Sequence, residues 1–415
     1  MTANFVQANG NAAQQVITGG SVSADLDDVF LSNQYLLDRL VGSTLYGWGD
    51  NGSGSVGVGS TTPTGYSSPV QVGAINTWAQ VATASYDVAA ASVIAIRGDG
   101  TLWAWGTNAY GQLGNNNTVY YSSPIQVGTL TDWKSVVVSG GSTPVGTALA
   151  IKNNYSLWAW GNNNAGQIGN GNRTNLSSPV QIGTLTNWRS VAVSQTTSLA
   201  IKLDGTLWGW GDNGSGTIGD STTVNKSSPV QVGTLTNWQS IAGAGFSSYA
   251  IKKDGTLWAW GSNIYGQLGI PGGLTTTYSS PTQIGSLTNW ASIAAGSTNI
   301  TGNFVVAIKT DGTLWAWGAN NVGQLGINNT TNYSSPIQVG TLTNWKYVVA
   351  NAGSGSGAVL AIKTDGTLWA WGNNGSGQLG LGNTTNRSSP VQVGTLSNWR
   401  IVSLSQTSFG IAYNT

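Results

Sequence analysis

The chain of 415 residues contains no cysteine and no histidine, and all 14 of its acidic residues are aspartate. Without cysteine there are no disulfides, no thiol catalysis and no thiolate metal sites, an absence that suits a reducing compartment and an exterior one alike. Without histidine a serine nucleophile has no imidazole to activate it, and the commonest metal ligand is missing. Charge is scarce too: Asp, Glu, Lys and Arg make up 7% of the sequence, and 15 basic residues against 14 acidic ones leave a net +1. That balance gives no drive toward nucleic acid or an anionic bilayer, both of which need clustered Lys and Arg. No apolar run is long enough to span a membrane. The start, Met1-Thr2-Ala3-Asn4-Phe5-Val6-Gln7, has neither the basic region nor the apolar core of a secretory signal.

Glycine and tryptophan, with 60 and 20 copies, are abundant instead, and the tryptophans recur in phase. The fullest cassette reads Ala250-Ile251-Lys252-Lys253-Asp254-Gly255-Thr256-Leu257-Trp258-Ala259-Trp260-Gly261. Its Leu-Trp-x-Trp-Gly core begins at Leu102, Leu157, Leu207, Leu257, Leu314 and Leu368, with a variant at Leu45-Tyr46-Gly47-Trp48-Gly49. Seven copies about 50 to 57 residues apart signal a repeat architecture. Three more slots keep step: Gly266-Gln267-Leu268-Gly269, Ser227-Ser228-Pro229-Val230-Gln231-Val232-Gly233, and an Asn-Trp pair such as Asn187-Trp188. All 20 tryptophans fall in these slots, so each is read as a core or blade-to-blade residue in preference to a sugar-stacking one.

Each unit reads as four short strands. Ala-Ile-Lys and Thr-Leu-Trp-Ala-Trp flank an Asp-Gly pair, which predicts a tight type I′ hairpin. Val-Gln-Val after a Ser-Ser-Pro turn, and Trp-x-Ser-Val/Ile-Ala after the Asn-Trp slot, alternate apolar and polar residues as strands do. Helical periodicity is missing and glycine is too frequent for helix interiors, so a four-stranded propeller blade fits and a helical solenoid does not. The ends complement each other. Ser408-Phe409-Gly410-Ile411-Ala412-Tyr413 matches the Ala-Ile-Lys strand without its Trp-x-Trp partner, and residues 44–49 carry that partner without the strand. Pairing them closes the ring and removes two exposed sheet edges.

The order Trp-Gly-x-Asn-x-x-Gly-Gln-Leu-Gly, Pro-x-x-Val, Ala-Ile-Lys-x-Asp-Gly-Thr-Leu-Trp resembles the RCC1-type (regulator of chromosome condensation) repeat over residues 44–415. The resemblance implies an all-β, seven-bladed β-propeller of four-stranded blades. In one respect every copy departs from it: the family's repeat usually has a histidine before the Ala-Leu strand, where this chain reads Thr196-Thr197-Ser198 or Ser247-Ser248-Tyr249. The family's founder acts on a small GTPase and on chromatin. No basic tail or long inserted wedge accompanies the repeat here, so that activity is not carried over.

Several features invite a chemical reading and have a plainer one. Arg97, Lys152, Lys202, Lys252, Lys309 and Lys363 share one slot beside Asp99, Asp204, Asp254, Asp311 and Asp365; hairpin charges that snorkel or pair explain this better than an anion-attracting ring. Asp50-Asn51-Gly52-Ser53-Gly54 and Asp212-Asn213-Gly214-Ser215-Gly216 look like calcium loops, yet lack the alternating acids and closing Glu. A paired-Asp hydrolase would need Asp87, Asp132 or Asp220, and nothing around them supports it. No catalytic, metal or cofactor site is expected, and the chain reads as a non-enzyme.

Residues 1–43 form a separate N-terminal arm preceding the 44–415 propeller. Ser23 before Asp25, Asp27 and Asp28 marks a helix start, and Leu26, Val29, Phe30, Leu36, Leu37 and Leu40 form an apolar stripe ended by Gly42. Packing under the ring and docking to another chain are both open. Candidate recognition loops are those that break the repeat: residues 115–121, with Asn116, Tyr120 and Tyr121, and residues 270–278, with Thr276 and Tyr278. Two function classes follow. One is a virion structural protein of a bacteriophage, a tail, fibre or capsid-surface component. Its arm would join other virion or assembly proteins, and its propeller would meet a host-surface protein or glycan. The other is a bacterial extracellular or cell-surface adhesin, lectin or assembly scaffold; GTPase exchange ranks last. Neither class involves nucleic acid or membrane insertion.

Overall fold

The computed structural model describes residues 42–87, 90–140, 146–270, 277–297, 302–351 and 357–414. The arm stripe, Leu26 to Leu40, and Thr276 lie outside them. The described residues hold 28 β-strands, β1 to β28 in chain order, and no helix. They make seven four-stranded antiparallel sheets, which is the seven-bladed propeller that the repeat predicts.

One blade shows why each slot recurs. Its order is β11 (Trp188–Val193), β12 (Thr197–Lys202), β13 (Leu207–Gly211), β14 (Lys226–Gln231). The first strands of neighbouring blades touch, β11 meeting both β7 (Trp133–Val138) and β15 (Trp238–Ala244), so the Trp-x-Ser strand lies nearest the axis and the Ser-Ser-Pro strand forms the rim. Ser-Ser-Pro is thus part of the rim strand and not a turn before it. Proline has no N–H to offer a ladder, and an outermost strand is where a sheet tolerates that loss.

The hairpin between the second and third strands also differs from the expected two-residue turn. Gly205 donates its N–H to Lys202 O (2.9 Å) and Lys202 donates to Thr206 O (3.0 Å), with positive φ at Gly205 (79°) alone within the turn. This is a three-residue loop, a type I turn followed by a glycine bulge. The aspartate keeps a negative φ because its carboxylate caps the turn: Asp204 Oδ1 accepts from Thr206 N (2.9 Å) and Thr206 Oγ1 (2.7 Å).

The three tryptophans of a blade do different work. Trp210, fully buried, donates Nε1–H to Gln167 O of the preceding blade at 2.8 Å. The same bond recurs from Trp48, Trp105, Trp160, Trp260, Trp317 and Trp371, all at 2.8–3.0 Å, and so runs the whole way round the ring. The glycine that ends the Gly-x-aliphatic-Gly slot leaves room for it: Gly169 has φ +88°, and a Cβ there would lie 2.6 Å from Trp210 Nε1. Half-buried Trp208 donates to Thr206 Oγ1 of its own hairpin (2.9 Å). Trp188 meets both rings edge-on, at 5.9 and 6.2 Å.

Closure follows the complementary ends. β28 (Thr407–Tyr413) pairs with β1 (Ser43–Asp50) from Ser43↔Tyr413 to Gly49↔Thr407, in a sheet ordered β2-β1-β28-β27. The C-terminal strands β27 (Trp399–Leu404) and β28 give the inner half of this blade, and β1 and β2 (Gly65–Gln71) the outer half.

Candidate binding faces

Strands that alternate in direction sort every connection onto one of two faces. Links from first to second and from third to fourth strand share one, here the loop face. Hairpins between second and third strands, and connectors from one blade to the next, share the other. Both ends of the described chain lie on that second face: Asn414 N donates to Gly42 O (2.7 Å) and Ser43 N to Asn76 O (2.6 Å). It is called the terminus face below.

On the terminus face the slot of basic residues resolves into a stack. Lys202 Nζ sits 3.6 Å from the Trp208 ring centroid and 4.8 Å from that of Trp188. Lys252, Lys309 and Lys363 repeat this at 3.5–3.6 and 4.9–5.0 Å, Lys152 at 4.1 and 4.9 Å, and Arg97 covers Trp103 at 5.6 Å. An ammonium held against an indole face is attracted by the ring quadrupole, and its methylene stem covers apolar surface. Burial lowers the pKa of Lys202, Lys252, Lys309 and Lys363 from the usual lysine value, with the hairpin aspartate opposing. Close ion pairs form in two of these units, Lys152–Asp132 at 3.3 Å and Arg97–Asp99 at 3.5 Å. In the hairpins of Asp204, Asp254 and Asp365 the hydrogen bond from the following threonine holds the carboxyl below its ordinary range.

The aspartates considered for a hydrolytic pair are not brought together. Asp132 lies on the terminus face beside Lys152, whereas Asp220 lies on the loop face, 3.5 Å from Lys226 and bonded by Thr222. Asp87 ends β3 (Trp78–Asp87) at the loop face. Among the described residues no group of three or more aspartates could hold a metal ion. The calcium-like segments are turns: Asp50 Oδ1 accepts from Gly52 N (2.7 Å), and Asn213 Nδ2 ties Asp220, Thr222 O and Val224 O across its loop at 3.0–3.3 Å.

The described recognition residues, Asn116, Tyr120, Tyr121 and Tyr278, lie on the loop face, and similar bracing holds Asn116 and Tyr121. Asn116, at φ +62°, donates its N–H to Ser177 O (2.7 Å) and accepts from Ser178 Oγ (3.2 Å), which fastens it to the next blade. Tyr121 and Tyr278 pack against the core, and Tyr121 Oη accepts from Asn117 Nδ2 (3.2 Å). Asn116 and Tyr120, with neighbouring Val119, are exposed. Three further exposed apolar residues share this face: Val224, Phe246 and Ile264. Their loops are joined, since Phe246 O accepts from Ser262 N (2.8 Å) and from Thr217 Oγ1 (3.3 Å) of the preceding blade. Their signal was substitution within a slot: Ile264 stands where other units have Gly52, Asn164, Gly214 or Gly375.

The repeat profile described as "Regulator of chromosome condensation (RCC1) repeat" matches residues 99–144, 156–201, 204–251, 254–300, 311–361 and 365–406. Human Protein RCC2 is 40% identical over 87 residues, 21% of this chain and 16% of that protein. The ultraviolet-B receptor UVR8 of Arabidopsis thaliana is 35% identical over 92 residues, 22% and 20% of the two chains, so the chain spans a fifth or less of the length of either. Among solved structures, human WBSCR16 superposes with TM-score 0.75 at 21% identity, over 89% of this chain and 98% of that one. Prp20p of Saccharomyces cerevisiae, studied for its binding to Gsp1p and histones, gives 0.77 at 17% identity over 92% and 95%. With its matched repeats covering more than half the sequence, the chain belongs to the regulator of chromosome condensation (RCC1) repeat family.

Proposed function

We propose that this chain is a non-catalytic binding propeller whose loop face recognises a protein partner. The observation that carries this reading is the cluster of apolar departures from the repeat, Val224, Phe246 and Ile264, on linked loops facing away from the chain termini. An apolar centre within a neutral polar surround is the composition of a protein-recognition surface. The similarity to Prp20p, which binds Gsp1p and histones, supports a protein partner in preference to a small molecule. The setting proposed is the surface of a virus particle, with the N-terminal arm on the particle side and a host-surface protein as the target. A sequence free of cysteine and with 7% charged residues supports this setting.

The test is binding to intact host cells, with Phe246→Asp and Ile264→Asp compared against Leu235→Asp on the terminus face. The first two should weaken binding at least tenfold and the third leave it unchanged. Equal effects from both faces overturn the loop-face reading. Absence of the chain from purified particles by mass spectrometry overturns the virion setting alone.

A further inference from the structure

Strand phase also sorts charge, and the near-neutral total conceals a strong division. The six basic residues that end second strands lie on the terminus face, as do Lys134, Arg189, Lys253, Lys346 and Arg400. Against these eleven cations stand the five hairpin aspartates and Asp132, a surplus of five positive charges. The loop face carries Arg173, Lys226 and Arg387 against Asp50, Asp87, Asp212 and Asp220, a surplus of one negative charge. Residues 1–41 hold Asp25, Asp27, Asp28 and Asp38 against Arg39, a surplus of three negative charges.

Apolar surface follows the same phase. The connector that leads into each first strand carries a leucine, and Leu130, Leu185, Leu235, Leu287, Leu342 and Leu396 are all 42–48% exposed on the terminus face. At the seventh position Ile75 is half-buried against the core. The chain emerges at that point: Ser43 is bonded to Asn76 beside Ile75, Gly42 to Asn414, and Tyr413 to Asn398 of the Leu396 connector.

We propose that residues 26–40 seat in cis on the terminus face of their own ring, across the connectors of Leu396 and Leu130 that flank the exit. The occupant is fixed by tether, charge and composition together. Two residues, Val41 and Gly42, separate Leu40 from Ser43, so three Cα steps give a reach of about 11 Å. A short tether gives the segment a local concentration on the order of millimolar, which an external partner must exceed. The segment's negative surplus opposes the positive one of the face, and its stripe of Leu26, Val29, Phe30, Leu36, Leu37 and Leu40 matches the leucines there. Read as a helix, residues 26–40 extend about 21 Å, enough to cover neighbouring connectors but not the whole ring. Seated so, the segment shields those connectors and leaves the loop face and residues 1–22 available to others. This inference does not depend on the function proposed above.

Arg39 is the single basic residue among residues 1–41, so it offers trypsin its one site in that segment. The full chain is digested at low micromolar concentration and cleavage after Arg39 is followed by mass spectrometry. Phe30→Asp, and separately Leu130→Ser combined with Leu396→Ser, should each speed that cleavage at least tenfold. Leu235→Ser, on the same face but away from the exit, should change it less than twofold, and unaltered melting temperatures would confirm that the variants fold. Equal rates in all four proteins overturn the proposal. So does protection that grows with protein concentration, which would make a second copy the occupant.

Discussion

Truncating Phe409 to alanine tests how the ring is held shut, because this side chain stands where the two chain ends meet. Phe409 has no exposed surface, and its ring lies edge-on to Trp105 of the next blade at 5.6 Å. Gly47 on β1 passes so near that a Cβ there would come within 2.8 Å of it. Walled by its own sheet on one side and an indole on the other, the site cannot collapse to fill the space. Phe→Ala in such surroundings costs about 3–5 kcal/mol. A body of roughly 370 residues unfolds with an entropy of about 0.8 kcal/mol/K, so the melting temperature should fall by about 4–6 °C. Differential scanning calorimetry reads this directly, and Leu199→Ala, the same slot in an uninterrupted blade, is the control. Deleting residues 407–415 should cost far more, because it strips β1 and β27 of their shared partner. A Phe409→Ala shift under 1 °C, or a deletion variant melting cooperatively at the wild-type midpoint, would refute closure by the terminal strands.

Trp210→Phe keeps most of the packing but removes one of two donors to Gln167 O, which still accepts from Ser198 Oγ (2.7 Å), and should cost about 0.5–1.5 kcal/mol in urea denaturation; an unchanged midpoint would show that the inter-blade bond contributes nothing. Thr206 holds the Asp204 carboxyl below its unfolded value of 3.8, so its stabilisation is complete above that pH and is lost as pH falls through the folded pKa. Asp204→Asn should therefore flatten the fall in thermal stability as the pH drops below about 4, and a variant whose profile parallels the wild type would contradict the capping role.

The fold was legible because one sequence repeats it seven times. Leu-Trp-x-Trp-Gly, Ala-Ile-Lys and Gly-x-aliphatic-Gly each recur at a fixed distance from the others, and residues with such fixed phase must meet the same environment in every blade. Closure was legible for the same reason, since Ser408 to Tyr413 and Leu45 to Gly49 are two parts of one cassette. Local geometry was harder to read. Asp-Gly alone suits a two-residue turn, and only the following threonine, by bonding the aspartate, selects the three-residue loop. Recognition residues were harder still. Divergent loop length drew notice to Asn116, Tyr120, Tyr121 and Tyr278; the first two are exposed, whereas the half-burial of Tyr121 and Tyr278 is decided by packing that sequence spacing does not place. Asn116 fastens its loop to Ser177 and Ser178, and the two tyrosines face the core.

The division of charge between faces shows how much meaning strand phase holds in such a ring. A net charge of +1 argues against attraction to polyanions if the charges are scattered. Here a lysine ends the second strand and an aspartate turns the hairpin beside it, so both signs of that pair fall on the terminus face in unit after unit. The face becomes positive because further cations, Lys134, Arg189, Lys346 and Arg400, take the second place of first strands, while acidic residues on that side are confined to the hairpins and to Asp132. Most of these charges are already engaged: Arg189 donates to Trp238 O (2.9 Å) and Gln239 O (2.6 Å), Lys134 lies 4.1 Å over Tyr155, and the second-strand lysines rest between indoles. Their fields remain when their hydrogen bonds are satisfied, so the face still attracts an acidic segment at longer range. A ligand with apolar groups between its carboxylates suits such a surface better than a bare polyanion, which would need free donors to bind.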